Sequence, residues 1–180
     1  LDDVVFAAKS ARESLAAAQI LVNVLRRFGW LIQPTKLVGT TDVKQVFRAL
    51  GTMVDLATQT YKVPEDTVRR ILEAARTLAT GPPTASARSV ARLKGLITAT
   101  WVAVGIATRI RNRAFDVVID SRPQCSTSRR DVRRSWSARV TITDAAREEA
   151  LWWIKFLPHC PGQPIRPPPI RLGGRRRHTQ

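Results

Sequence analysis

The stretch PEDTVRRILEAARTLATG, residues 64–81, constrains what this chain can fold into more than any other. Pro64 suits the first turn of a helix, where its missing N–H has no partner to lose, and the acids Glu65 and Asp66 face the positive end of the helix dipole. Gly81 supplies the stop. Between these signals Val68, Ile71, Leu72, Ala75 and Leu78 recur at the helical period. Such a stripe has to be buried, so the rest of the chain must provide a facing apolar surface.

Upstream, residues 3–8 read as a short strand, and SARE (10–13) offers a capping box in which Ser10 accepts from an orphan amide and Glu13 reaches back. The helix that follows carries Leu15, Ala18, Val22, Leu25 and Phe28 on one face, then stops at Arg26, Arg27 and Gly29. WLIQPTK (30–36) reads as a strand broken by Pro34, and residues 43–63 as one or two hairpins around Gly51. Downstream, PPTASARS (82–89) reads as a linker and helix-start signal, and residues 90–120 are expected to hold two more helices. Residues 121–137 read as loop, and 143–157 as a helix capped by Thr143 or Asp144. Residues 158–180 are too rich in proline for regular structure.

Charge limits the partners. The 30 Lys and Arg residues outnumber the 14 Asp and Glu, leaving +16. The excess is +3 over residues 1–63, +5 over 64–122 and +8 over 123–180, so it rises toward the C-terminus without being confined to a tail. A polyanionic partner follows, nucleic acid being the commonest. Cys125 and Cys160 form neither a disulfide framework nor a zinc-ligand pair, which points to a reducing intracellular compartment, cytoplasm or nucleus. The longest uncharged run, residues 95–108, is short of the roughly 20 residues a membrane span needs. A start without Met, directly on acids rather than a basic leader, is expected of a fragment of something longer. His159 and His178 have no catalytic or metal-ligand spacing, and no glycine-rich phosphate loop is present.

The acids in LDDVVFAA (1–8) stand directly against an apolar run. Consecutive strand side chains point to opposite faces, so Asp2 and Asp3 converge only at a tight turn between strands, which an apolar strand from Val4 would allow. Adjacent carboxylates at such a turn suit two-metal phosphoryl transfer. The order that follows is a helix ending in glycine, a strand with P-x-K, a hairpin around Leu50-Gly51 and a basic helical bundle. In this order the chain resembles the back half of a reverse transcriptase, most closely the DIRS group of retrotransposons, which integrate through a tyrosine recombinase. That family's catalytic turn is Tyr-x-Asp-Asp, and this chain begins at its second position, Leu1. FGWLIQPTK (28–36) and VFRALGTMVD (46–55) resemble the next family segments, with Arg48 and Ala49 inserted between Phe47 and Leu50-Gly51 as a departure. EEALWWIKFL (148–157) with PGQPI (161–165) resembles the lead into RNase H, and the likeness covers about residues 1–165.

The resemblance implies an α+β chain: the end of a polymerase palm over 1–63, a helical thumb over 64–120, a linker and the start of the connection to RNase H over 121–165, and a disordered basic tail over 166–180. It implies that Asp2 and Asp3 ligate magnesium, that Lys36 assists at the pyrophosphate, and that Phe47, Leu50 and Gly51 hold the primer end. Arg88, Arg92 and Lys94 would contact phosphates of an RNA/DNA template–primer duplex without reading bases. The parent would carry out RNA-directed DNA synthesis from dNTPs. This chain, lacking the fingers and the upstream catalytic aspartate, is expected to bind template–primer at most. The tail IRLGGRRRHTQ departs from the family where the RNase H strands should begin, and no carboxylate follows residue 165. Asp55, Asp116 and Asp120 read as structural, and at least one of Trp152 and Trp153 as core. The competing reading is a non-enzymatic basic helical protein that binds nucleic acid through Arg88, Arg92 and the arginine-rich segments 129–134 and 175–177.

Overall fold

The computed structural model describes residues 8–33, 44–123 and 128–165. Asp2, Asp3, Lys36, Cys125 and the tail 166–180 lie outside them, as do residues 3–7 of the first expected strand and 34–36 of the second; residues 30–33, the described part of the second, form no strand, which corrects that expectation. The described residues are mixed α and β, with antiparallel sheets that do not close into a barrel.

Helix α1 spans Ala11–Arg27 and begins as its capping signal dictates, with the Ser10 side chain accepting from the Glu13 N–H at 3.2 Å. It ends in a Schellman arrangement: Gly29, at φ 79, donates to Arg26 O and Trp30 to Leu25 O. Ala18 is its buried residue.

An antiparallel meander follows. Strand β1 (Val46–Ala49) pairs with β2 (Thr52–Asp55), and β2 with β3 (Thr60–Lys62). Ala49 faces Thr52, so Leu50 and Gly51 alone make the first turn, at φ 48 and 76. Positive φ at both central residues gives the turn twist that matches paired strands. The fourth strand arrives from far along the chain: β6 (Gln163–Pro164) pairs with β3 and gives the order β1-β2-β3-β6. The expectation that nothing regular follows residue 157 is thereby corrected. Pro164 is tolerated because it sits on an edge strand.

Helix α2 (Glu65–Thr80) forms where its signals place it and buries Thr67, Ile71, Ala75 and Leu78. The expected linker instead contains β4 (Thr84–Ser86), which runs straight into α3 (Ala87–Ala99). Beyond Thr100 the chain makes two single-turn helices, α4 (Trp101–Val104) and α5 (Ala107–Ile110), broken by Gly105 at φ 76. Helix α6 covers Arg113–Asp120. A further correction falls at 121–137, where residues 129–137 form helix α7 (Arg129–Ser137) and lead into β5 (Arg139–Thr141), the partner of β4. Helix α8 (Asp144–Phe156) has the expected Thr143 cap and ends in a 3-10 turn, Leu157–His159.

One core joins these helices, formed by Ile71 of α2, Val90, Leu93 and Ile97 of α3, Phe115 and Val118 of α6, and Ala146, Ala150 and Trp153 of α8. It crosses residue 120 without interruption. Trp153 is fully buried, and its indole N–H donates to Arg111 O at 2.7 Å, which satisfies its polar atom. Trp152 stacks on Phe156 at 4.3 Å with the Arg111 guanidinium 5.2 Å from its ring, so the tryptophan pair is built into the fold. Among the described residues, no helix is long and apolar enough to cross a membrane.

Candidate nucleic-acid interface

Helices α2 and α3 lie side by side, and the β4–β5 ribbon closes one end of the furrow between them. The resulting groove encloses about 440 Å³, with Leu78, Leu93 and Leu96 along its floor and Arg70, Arg92 and Arg139 among its rim groups. Arg139 is fixed, donating to the Thr84 hydroxyl at 2.7 Å and to Thr84 O at 3.0 Å. Arg70 and Arg92 are exposed and make no ion pair among the described residues. Ser86 and Ser89 add hydroxyls, although the Ser86 side chain already caps α3 by accepting from Ser89 N–H. An apolar floor under guanidinium groups and hydroxyls is suited to the sugar–phosphate backbone, because arginine forks match phosphate oxygens without regard to base.

The three expected thumb residues separate. Arg88 and Arg92, one turn apart, share an exposed face of α3. Lys94, two residues past Arg92 and so about 200° round the helix, is ion-paired with Asp116 of α6. It therefore lies toward the helix–helix contact rather than with the arginines. Asp116 has the structural part expected of it, and Asp120 lies beside Arg122 at 3.7 Å.

At the hairpin, Phe47 faces Val54 across the ladder and is half-buried, while Leu50 is 75 % exposed at the tip. Arg48 reaches Asp66 of α2 at 3.1 Å and ties the hairpin to the helical part. Behind it, a larger cleft of about 770 Å³ lies between the meander and α2. Asp55 lines it. The carboxylate accepts from Thr58 N–H and from Lys62 Nζ, each at 3.0 Å. The backbone N–H of Thr58, aided by Lys62, holds its pKa at about 2, so Asp55 is ionised and locked into the β2–β3 turn.

The carboxylates that the resemblance assigns to magnesium, Asp2 and Asp3, lie outside the described residues, as does Lys36. Among the described residues no group of three or more His, Cys, Asp or Glu side chains is placed to hold a metal ion. Two groove residues escape a reading of the sequence. Arg70 carries a signal, since it lies off the apolar stripe of α2, but Arg139 carries none, because it enters the groove only through a three-residue strand. Compared with known proteins, the chain matches no family model, no curated protein and no solved structure.

Proposed function

We propose that this chain is the template–primer-binding portion of a reverse transcriptase, joining the end of the palm to the thumb, with polymerisation belonging to a longer parent. The observation that carries the reading is the β1–β2 tip. Leu50 holds a left-handed backbone conformation that disfavours side chains, yet presents its side chain to solvent. Strain of this kind on an exposed residue is what a contact surface at a primer end would retain. Support comes from the order of elements, a glycine-terminated helix, this hairpin and then an arginine-rimmed helix pair, which is the order the resemblance implies. In this reading the groove of Arg70, Arg92 and Arg139 holds the duplex backbone, and Leu50-Gly51 abuts the primer terminus.

The test joins the chain to an upstream fingers–palm segment and follows primer extension on an RNA template with magnesium. Extension by the fusion, lost in Asp2→Asn and Asp3→Asn, is expected. Leu50→Asn relieves the backbone strain and should leave thermal stability equal or higher while lowering extension. A silent fusion, together with an isolated chain that binds RNA–DNA duplex equally well with or without the aspartates, would replace this reading with that of a binding module without chemistry.

A further inference from the structure

The arginine-rich segment that reads as loop is a helix, and its construction is asymmetric. At 100° per residue Arg130, Arg133 and Arg134 fall within about 100° of arc, and all three are exposed. The opposite side of α7 is fastened. Ser135 is buried, and its hydroxyl donates to Pro123 O at 2.7 Å. Trp136 receives the Arg122 guanidinium 4.5 Å from its ring centre. The Ser128 side chain caps the first turn by accepting from Arg130 N–H, and the body of the helix packs on α3.

Arg130 stands three residues from Arg133 and four from Arg134, spacings at which like charges repel on a helix. None of the three forms an ion pair among the described residues. A fold that fastens one side of a helix while leaving repelling cations on the other presents a preorganised cationic face. The face continues toward the groove, because α7 passes through Ala138 directly to Arg139 on its rim, and Ala87 at the start of α3 donates to Ala138 O. It offers neither an amide side chain to read bases nor a large apolar side chain to anchor a peptide.

We infer that the Arg130–Arg133–Arg134 face of α7 is a second contact for the nucleic-acid phosphate backbone, extending the footprint beyond the α2–α3 groove. The inference takes the identity of the polyanion from the proposed function, and nothing else.

The experiment measures binding of the full chain to a 20-base-pair RNA–DNA hybrid by fluorescence anisotropy across a salt series, with far-UV circular dichroism to verify folding. Three variants accompany the wild type: Arg130→Gln/Arg133→Gln/Arg134→Gln on α7, Arg70→Gln/Arg92→Gln in the groove, and Arg12→Gln/Arg26→Gln/Arg27→Gln on α1, which removes the same charge elsewhere. Each phosphate contact contributes roughly 0.9 to the slope of log K against log salt, so the α7 variant should lose about 2–3 from that slope and bind about tenfold or more weakly near 0.1 M salt. The α1 variant should keep the wild-type slope. An α7 variant with an unchanged slope, or one matched by the α1 variant, overturns the inference and leaves the groove reading standing. A groove variant that binds normally while the α7 variant fails overturns the groove reading and upholds this one. Absence of salt-dependent binding by the wild type overturns both.

Discussion

Arg147 of α8 holds the end of α2 in place, and its removal gives a stability loss that can be worked out beforehand. Its two terminal nitrogens donate to four carbonyls: Leu78 at 3.2 Å, Ala79 at 2.7 Å, Gly81 at 3.2 Å from each nitrogen, and Pro82 at 3.1 Å. Leu78 and Ala79 belong to the last turn of α2, where helix geometry leaves carbonyls without intrahelical partners and a cation favours the dipole. A hydrogen bond from a charged donor contributes about 1.5–3 kcal/mol net. The guanidinium is half-buried, so water would re-satisfy some of the four carbonyls once it is gone. The set taken together is therefore worth about 2–3 kcal/mol, not the sum of its members. Arg147→Ala should lower Tm by roughly 4–12 °C in a chain of this size, read by far-UV circular dichroism and by the urea midpoint. Arg147→Lys keeps the charge but loses the fork, and should recover less than half of the loss. A change below about 0.5 kcal/mol for alanine, or full recovery by lysine, would refute the claim that a planar multi-carbonyl clamp ends α2.

Glu149 of α8 accepts from Ala114 N–H at the start of α6 at 3.2 Å, and burial raises its pKa above the ordinary 4.5 despite the N–H groups and Arg111 nearby. Its contribution to stability is thus complete below pH 4.5 and is lost as pH rises through the raised value; Glu149→Gln, which can still accept the same N–H, should flatten the urea midpoint across that window. Gly162 has φ 89, and a Cβ there would run into the Tyr61 carbonyl oxygen, so Gly162→Ala should displace β6 and destabilise the chain by about 1–3 kcal/mol. Faster amide exchange at Ile165, which donates to Gln59 O at 2.8 Å, is the local signature. Unchanged exchange there would show that the backbone can give way.

What the sequence reveals depends on how local the cause is. Helices α1, α2 and α8 are legible because cap, dipole and apolar stripe lie within each segment; Ser10 and Thr143 cap where they should. The Leu50-Gly51 hairpin is legible for the same reason. Strands β4 and β5 are not, since three residues carry no pattern and the pairing of Thr84 with Thr141 depends on two helices bringing them together. Helix α7 is concealed by its own repulsion: four arginines among serines look like linker until Ser135 and Trp136 meet Pro123 and Arg122 at the other end of the same stretch. The groove is half legible, because Arg92 announces itself on a helix face while Arg139 waits on the ribbon. Lys94 shows the opposite error, since proximity in sequence to Arg92 conceals a position on the other side of the helix.

Strand β6 has a consequence for how the chain is made. The meander β1–β3 is complete by residue 62, but its β3 edge is covered only by residues 163–164. On a ribosome adding about 5–20 residues per second, that edge stands bare for several seconds while the helices emerge. An uncovered strand edge is a template for pairing with another copy. Synthesis that stalls between Leu157 and Gly162 would release a product with a formed helical core and an uncovered β3 edge, so aggregation should track termination in that window more closely than it tracks loss of core stability.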